Sequence, residues 1–137
     1  MENYQPKSYR LFIVWIICFV AILGAVGYLT SSLPAASSAR LILMFACYGL
    51  LALFYLILKT ESIYWINGVS YEQAAAAGSV RRRAYAKAHL QRFIAGGGVF
   101  LVLSSLFQMR GFSIWLDILV FLLILCFNAV YSMRIRL

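Results

Sequence analysis

Residues 11–29 read LFIVWIICFVAILGAVGYL, an apolar run that contains no charged residue. A helix rises about 1.5 Å per residue, so this run reaches about 28 Å, close to the hydrocarbon thickness of a bilayer. Three further runs of similar length follow at 41–58, 93–109 and 112–131. We therefore expect an all-α integral membrane protein, a bundle of four transmembrane helices that forms a single membrane domain over residues 1–137.

The composition supports this expectation. The chain has 137 residues, of which 64% are hydrophobic and 12% charged, and its mean hydropathy is +0.89. Soluble domains are about half apolar and about one quarter charged. The apolar run at 11–29 is longer than the core of about 7–15 residues that signal peptides have, so we expect an uncleaved span.

The basic residues are distributed unevenly between the two sides of these spans. Arg40 and Arg110 fall on one side. Ten of the twelve Lys and Arg residues fall on the other, in the head, the link 59–92 and the tail: Lys7, Arg10, Lys59, Arg81, Arg82, Arg83, Lys87, Arg92, Arg134 and Arg136. Short loops rich in Lys and Arg remain cytoplasmic, which predicts that both termini are cytoplasmic and that the protein lies in the cell (inner or plasma) membrane. Topology and anionic lipid on the cytoplasmic side account for the net charge of +8, so no nucleic-acid partner is expected.

The cytoplasmic link 59–92 contains its own helix signals. We expect the second helix to extend past its apolar run and to end at Asn67 and Gly68. Ser70 and Gln73 have the spacing of a capping box, which predicts a short cytoplasmic helix that Gly78 ends. A further helix then begins at Ser79 and enters the third span. The candidate lipid or partner contacts are its basic residues, Arg81, Arg82, Arg83, Lys87 and Arg92.

Asp117 is the one acidic residue within any predicted span, and such residues mark candidate functional sites. The turn at 110–111 makes the last two spans an antiparallel hairpin in which Asp117 lies level with Ser104 and Ser105. With Gln108, these residues form a candidate polar or ion site. Pairing with Arg40 or Arg110 would make Asp117 structural, whereas an unpaired carboxyl in a dry site could carry a proton. Both interpretations remain open, and the structural pair is favoured.

Small residues mark candidate helix-packing positions, because they let helices approach closely in lipid. These positions are Gly24, Gly27, Gly96, Gly97 and Gly98. The glycine run at 96–98 permits either close packing or a broken helix beside a polar cavity. Close packing is favoured.

No catalytic set can be assembled from the sequence. His89 is the single histidine, and we expect it to be a solvated interfacial residue and not a metal ligand. Asp117 falls on the opposite side of the membrane from it. No cofactor motif is present, so we expect no enzyme activity, no metal and no cofactor.

Three functions remain as hypotheses. The first is a non-enzymatic accessory or structural subunit that contacts lipids and other membrane helices in a homo- or hetero-oligomer. The second is a small oligomeric channel or transporter with a polar site around Asp117, and the third is an anionic-lipid-binding protein that uses the basic residues of 81–92. The chain resembles small multidrug transporters and small fluoride channels in size alone: those transporters use an acidic residue in the first span, and 11–29 has none.

Overall fold

The fold is described from a computed structural model that covers residues 4, 6–66, 68–132, 134, 135 and 137. These residues form helices and turns and contain no strand. The helical elements are α1 (Arg10–Leu29), α2 (Ala35–Thr60), a 3₁₀ turn (Ile63–Trp65), α3 (Tyr71–Ala76), α4 (Ser79–Met109) and α5 (Ile114–Ser132).

Four of these helices, α1, α2, α4 and α5, are long and apolar enough to cross a membrane. This confirms the prediction of an all-α chain with four membrane-spanning candidates. Many of their large apolar side chains are exposed, including Ile17, Val20, Leu123 and Phe127. Outward-facing apolar side chains are what a bundle needs when its surroundings are lipid.

Helix α2 is at the centre of the bundle. It packs against α1, α4 and α5, and α4 packs against α5, whereas α1 contacts chiefly α2. Between α4 and α5 the chain reverses at Gly111, whose φ of +68° is a conformation that glycine adopts without strain. We call the end of the bundle with Arg40, Gly111 and Asp117 the hairpin end, and the end with Glu61 and Arg82 the basic end.

The short helix predicted in the link is present with its cap. Ser70 accepts a hydrogen bond from the Gln73 amide, and the Gln73 side chain accepts one from the Ser70 amide. Helix α3 ends before Gly78, and α4 begins at Ser79 and continues without interruption to Met109. The interpretation of the 96–98 glycines as a broken helix is therefore wrong.

Both boundaries of α2 differ from the sequence prediction. The helix ends at Thr60, where Glu61 adopts a left-handed conformation with φ of 56°, and not at Gly68. Asn67 lies outside the described residues. At its other end α2 begins at Ala35, so Arg40 lies in the helix and not in the preceding loop.

The glycines of α4 are not equivalent in their packing. A Cβ at Gly96 would meet the Asn128 amide and Ile124, and one at Gly97 would lie 2.8 Å from Cys47 Sγ. A Cβ at Gly98 would have no atom within 4 Å. Two of the three glycines therefore let α4 approach its neighbours closely.

The interface between α1 and α2 depends more on Gly49 than on the glycines of α1. Gly49 of α2 lies directly against the Phe19 ring, a contact that the sequence analysis did not predict. Gly27 would place a Cβ at 3.6 Å from Ile42 Cδ1, an ordinary contact, and Gly24 faces open space. Gly24 and Gly98 therefore have no packing role within this chain.

Candidate functional site

The polar cluster at the hairpin end is closed around Asp117, whose exposed fraction is 0%. Arg40 Nε donates to one carboxylate oxygen of Asp117 at 3.0 Å. The Ser104 hydroxyl donates to the other oxygen. Arg40 Nη2 also donates to the Phe112 carbonyl at 2.6 Å. Both oxygens of the buried carboxylate are thereby satisfied by α2 and α4.

The other members of the predicted polar site do not join this cluster. Ser105 and Gln108 are exposed, and the Ser105 hydroxyl donates to the Leu101 carbonyl of its own helix at 2.8 Å. Ser105 is rotated by about 100° from Ser104 around α4, which turns it away from α5. Arg110 is exposed as well. The geometry favours a structural ion pair over an ion path, because the carboxylate has no exposed surface.

The cluster at the basic end is built around Glu61. Its carboxylate accepts hydrogen bonds from Ser79 Oγ at 2.7 Å, Arg82 Nε at 2.9 Å and Arg83 Nε at 2.7 Å. Its backbone carbonyl accepts one from the Tyr4 hydroxyl at 2.8 Å. Burial acts to raise the pKa of Glu61, but the hydrogen bonds from Ser79, Arg83 and Arg82 outweigh burial and lower it.

Arg82 is an internal residue of this cluster. Its exposed fraction is 4%, and its guanidinium also donates to the carbonyls of Ala77 and Ala74. The guanidinium lies 4.3 Å from the Tyr4 ring centroid. This burial leaves Arg82 no surface for the lipid or partner contact predicted for it. Arg81, Arg83 and Lys87 are exposed.

A lateral groove of about 970 Å³ runs between α4 and α5. Its walls are largely apolar, with Val99, Leu123 and Phe127 among them, and Arg92 is the one charged residue among the described residues that line it. Arg92 Nη1 donates to the Tyr131 carbonyl at 2.7 Å. The groove therefore combines an apolar trough with an arginine at one end.

A second cation stands beside the same end of the groove. The guanidinium carbons of Arg92 and Arg134 lie 4.8 Å and 5.0 Å from the Tyr131 ring centroid. Such cation–π contacts hold a guanidinium in place while leaving N–H groups for another acceptor. The sequence predicts Arg92 as a contact residue but contains no signal that would place Arg134 and Tyr131 beside it.

His89 is buried, with an exposed fraction of 1%, so the expectation of a solvated histidine is wrong. Its ring packs between those of Tyr85, at a centroid distance of 4.4 Å, and Phe54, at 6.2 Å. In the sequence, His89 stands among charged residues that are typical of an exposed stretch. In the structure, Phe54 of α2 and other residues around the link cover this part of α4.

Metal-ligating residues do not cluster in the part of the chain that the structure describes: no group of three His, Cys, Asp or Glu side chains lies together there. Cys47 is buried, whereas Cys18 and Cys126 are exposed, and all three are free thiols.

Comparison with known proteins does not assign the chain to a family. The chain matches no family model, no curated protein and no solved structure at a significant level of similarity. The class that the fold defines, over the residues that the structure describes, is a small all-helical protein with four candidate membrane-spanning helices.

Proposed function

We propose that this chain is a non-enzymatic multi-pass membrane protein that binds an anionic phospholipid in the α4–α5 groove, with the lipid phosphate at Arg92. The observation that carries the proposal is the combination of a large apolar trough with one arginine at its end. Ligand pockets typically have volumes of about 300–1,000 Å³ and apolar walls with a few placed polar groups. An anionic phospholipid has this combination, since its apolar acyl chains are joined to a phosphate-containing headgroup.

The depth of Arg92 fits a headgroup position. Arg92 lies 17 residues before the last residue of α4, Met109, which is about 26 Å along the helix axis. That distance approaches the hydrocarbon thickness of about 30 Å, so the guanidinium would lie near the interface. Along α5 the groove extends from Leu123 to Tyr131, about 12 Å, which is most of one leaflet.

The chemistry of Arg92 also suits a phosphate. Its one hydrogen bond to a described residue goes to the Tyr131 carbonyl, and a guanidinium has five N–H donors. Arginine binds phosphate through paired N–H groups, and anionic lipids are enriched in the cytoplasmic leaflet. The exposed cations Arg81 and Lys87 lie on the same helix, toward its start, and add a favourable field. We therefore place the basic end and both termini on the cytoplasmic side.

Native mass spectrometry of the full chain tests this function. The protein is purified in a mild detergent and mixed with equimolar phosphatidylglycerol and phosphatidylcholine that have the same acyl chains. We expect phosphatidylglycerol to be retained preferentially. Arg92→Gln should reduce that preference about fivefold, since a basic residue near the surface contributes about 1 kcal/mol toward an anionic lipid.

Two control variants distinguish recognition of the lipid headgroup from binding of the acyl chains. Arg110→Gln removes an exposed charge at the hairpin end and should leave the preference unchanged. Ala95→Phe adds bulk to the groove without altering charge and should lower retention of both lipids equally. Equal preference in wild type and Arg92→Gln would contradict the proposal.

The second candidate is an accessory subunit that binds a partner helix at α1. Helix α1 has no buried residue, and its exposed face carries Ala21, Gly24 and Ala25, with open space around Gly24. Gly24→Ile should then abolish co-purification of a stoichiometric partner or of a second, differently tagged copy. Gly98→Ile, which also enters open space but on α4, is the matched control.

A further inference from the structure

His89 presents a buried nitrogen without a hydrogen-bond partner. Its Nδ1 lies 3.0 Å from the Tyr85 carbonyl oxygen, which can only accept, so Nδ1 carries the proton. In the neutral ring Nε2 is then the acceptor. Nε2 is buried and has no partner among the described residues. The Ser132 backbone lies close to the ring, but it does not reach Nε2 with the distance and angle of a hydrogen bond.

A cavity of about 450 Å³ adjoins this ring. It is bounded by α2, the segment after α2, α4, α5 and Ile135, and it is distinct from the α4–α5 groove. Aliphatic and aromatic side chains share its described walls, and the lining includes Phe54, Trp65, Tyr85 and Phe93 together with His89 and Ser132. Phe54 and Phe93 are stacked with a centroid distance of 4.1 Å, and together they form an aromatic wall of the cavity.

Neither a metal ion nor water alone suits this cavity. The described residues bring no second histidine, cysteine or carboxylate pair to His89. A buried water usually makes about three hydrogen bonds. The polar side-chain groups in the described lining are the His89 ring, the Tyr85 and Ser132 hydroxyls and the Trp65 indole N–H. The Ser132 hydroxyl and the indole already donate, to the Ala129 and Ser8 carbonyls. The cavity therefore suits a largely apolar ligand that carries one hydrogen-bond donor for His89 Nε2.

We propose that this cavity binds a lipid-soluble ligand of the phenol class, with its ring against the aromatic wall and its hydroxyl donating to His89 Nε2. His89 lies 20 residues before Met109, about 30 Å along α4, which places the hydroxyl at the level of the membrane interface. A phenol partitions to that depth because its ring is apolar and its hydroxyl polar.

Two matched probes test the hydroxyl. 4-Bromophenol can donate a hydrogen bond and 4-bromoanisole cannot, and bromine in either quenches tryptophan fluorescence. The protein is the full chain in lipid nanodiscs with Trp15→Phe and Trp115→Phe, which leaves Trp65 in the cavity wall as the reporter. We expect saturable quenching by bromophenol with an affinity about fivefold higher than that of bromoanisole. Equal affinities for the two probes would overturn the proposal.

Two variants of His89 separate the two ring nitrogens. An asparagine amide can replace Nδ1 toward the Tyr85 carbonyl, whereas a glutamine amide reaches the position of Nε2. His89→Asn should therefore remove the fivefold difference between the probes, and His89→Gln should preserve most of it. A difference that survives in folded His89→Asn would mean that His89 does not bind the hydroxyl.

The single histidine allows a test that needs no variant. In protein labelled with ¹⁵N-histidine and carrying no histidine tag, the Nε2 resonance should be that of an unprotonated nitrogen. It should move upfield on addition of 4-bromophenol and stay in place with 4-bromoanisole. An Nε2 that is already protonated, or that responds equally to both probes, would overturn the proposal.

Discussion

Arg40 and Asp117 lie 77 positions apart in the chain and join α2 to α5 through an ion pair of 3.0 Å. The exposed fractions of their side chains are 8% and 0%, so neither water nor lipid headgroups reach the carboxylate. Removing one partner of a buried pair leaves an uncompensated charge, whereas replacing both partners removes the charges together. The stability of the bundle should therefore respond asymmetrically to single and double changes here.

We expect Asp117→Asn to lower the free energy of unfolding by about 3 kcal/mol, because the Arg40 guanidinium loses its counter-charge in a buried site. The double variant Arg40→Met with Asp117→Leu should recover most of that loss. Equilibrium unfolding in SDS, followed by tryptophan fluorescence, measures both. An Asp117→Asn protein as stable as wild type would show that the ion pair does not stabilise the bundle.

Ser104 and Ser105 provide a comparison of neighbouring residues. Ser104→Ala removes a hydrogen bond to a buried carboxylate and should cost about 1.5 kcal/mol in the same unfolding assay. Ser105→Ala removes a hydroxyl that bonds only its own helix and should change stability by less than about 0.5 kcal/mol. Equal effects of the two substitutions would contradict the described orientation of α4.

The four long helices and the hairpin were predictable because they depend on local composition and on a short turn. The two-residue spacing at 110–111 fixes the register of α4 against α5, so counting from it placed Asp117 level with Ser104. The same count could not choose between Ser104 and Ser105, since that choice depends on how α4 is rotated about its axis.

The features that sequence analysis missed depend on contacts distant in the chain. Helix α2 ends at Thr60 because Glu61 turns toward Ser79, Arg82 and Arg83, residues 18 to 22 positions away. The burial of His89 likewise depends on Phe54 of α2. Local propensity contains no information about such partners.

Substitutions within the glycine run 96–98 should differ in their effect on stability, because Gly96 packs against α5 and Gly98 faces open space. Gly96→Ala would push a methyl group against the Asn128 amide and Ile124, and we expect it to lower the free energy of unfolding by about 1–3 kcal/mol. Gly98→Ala enters open space and should be neutral or stabilising by up to about 1 kcal/mol, because alanine favours the helix. Unfolding in SDS compares the two. A Gly98→Ala protein that is the less stable of the pair would contradict the described packing of α4 against α5.

Glu61 should make the fold sensitive to acid. Burial opposes its ionisation, but the hydrogen bonds from Ser79, Arg83 and Arg82 prevail and hold its pKa below the ordinary value of 4.5. The unfolded chain therefore takes up the proton first, so this stabilisation is complete above pH 4.5 and is lost as the pH falls through and below that value. Unfolding measured from pH 6 to pH 3, about the range in which carboxylates titrate, should show a smaller loss of stability in Glu61→Gln than in wild type. Backbone and Ser70 hydrogen bonds also lower the pKa of Glu72, but its carboxylate is exposed, so Glu72→Gln should remove a smaller part of the wild-type response than Glu61→Gln. An unchanged response in Glu61→Gln would show that the cluster does not couple protonation to folding.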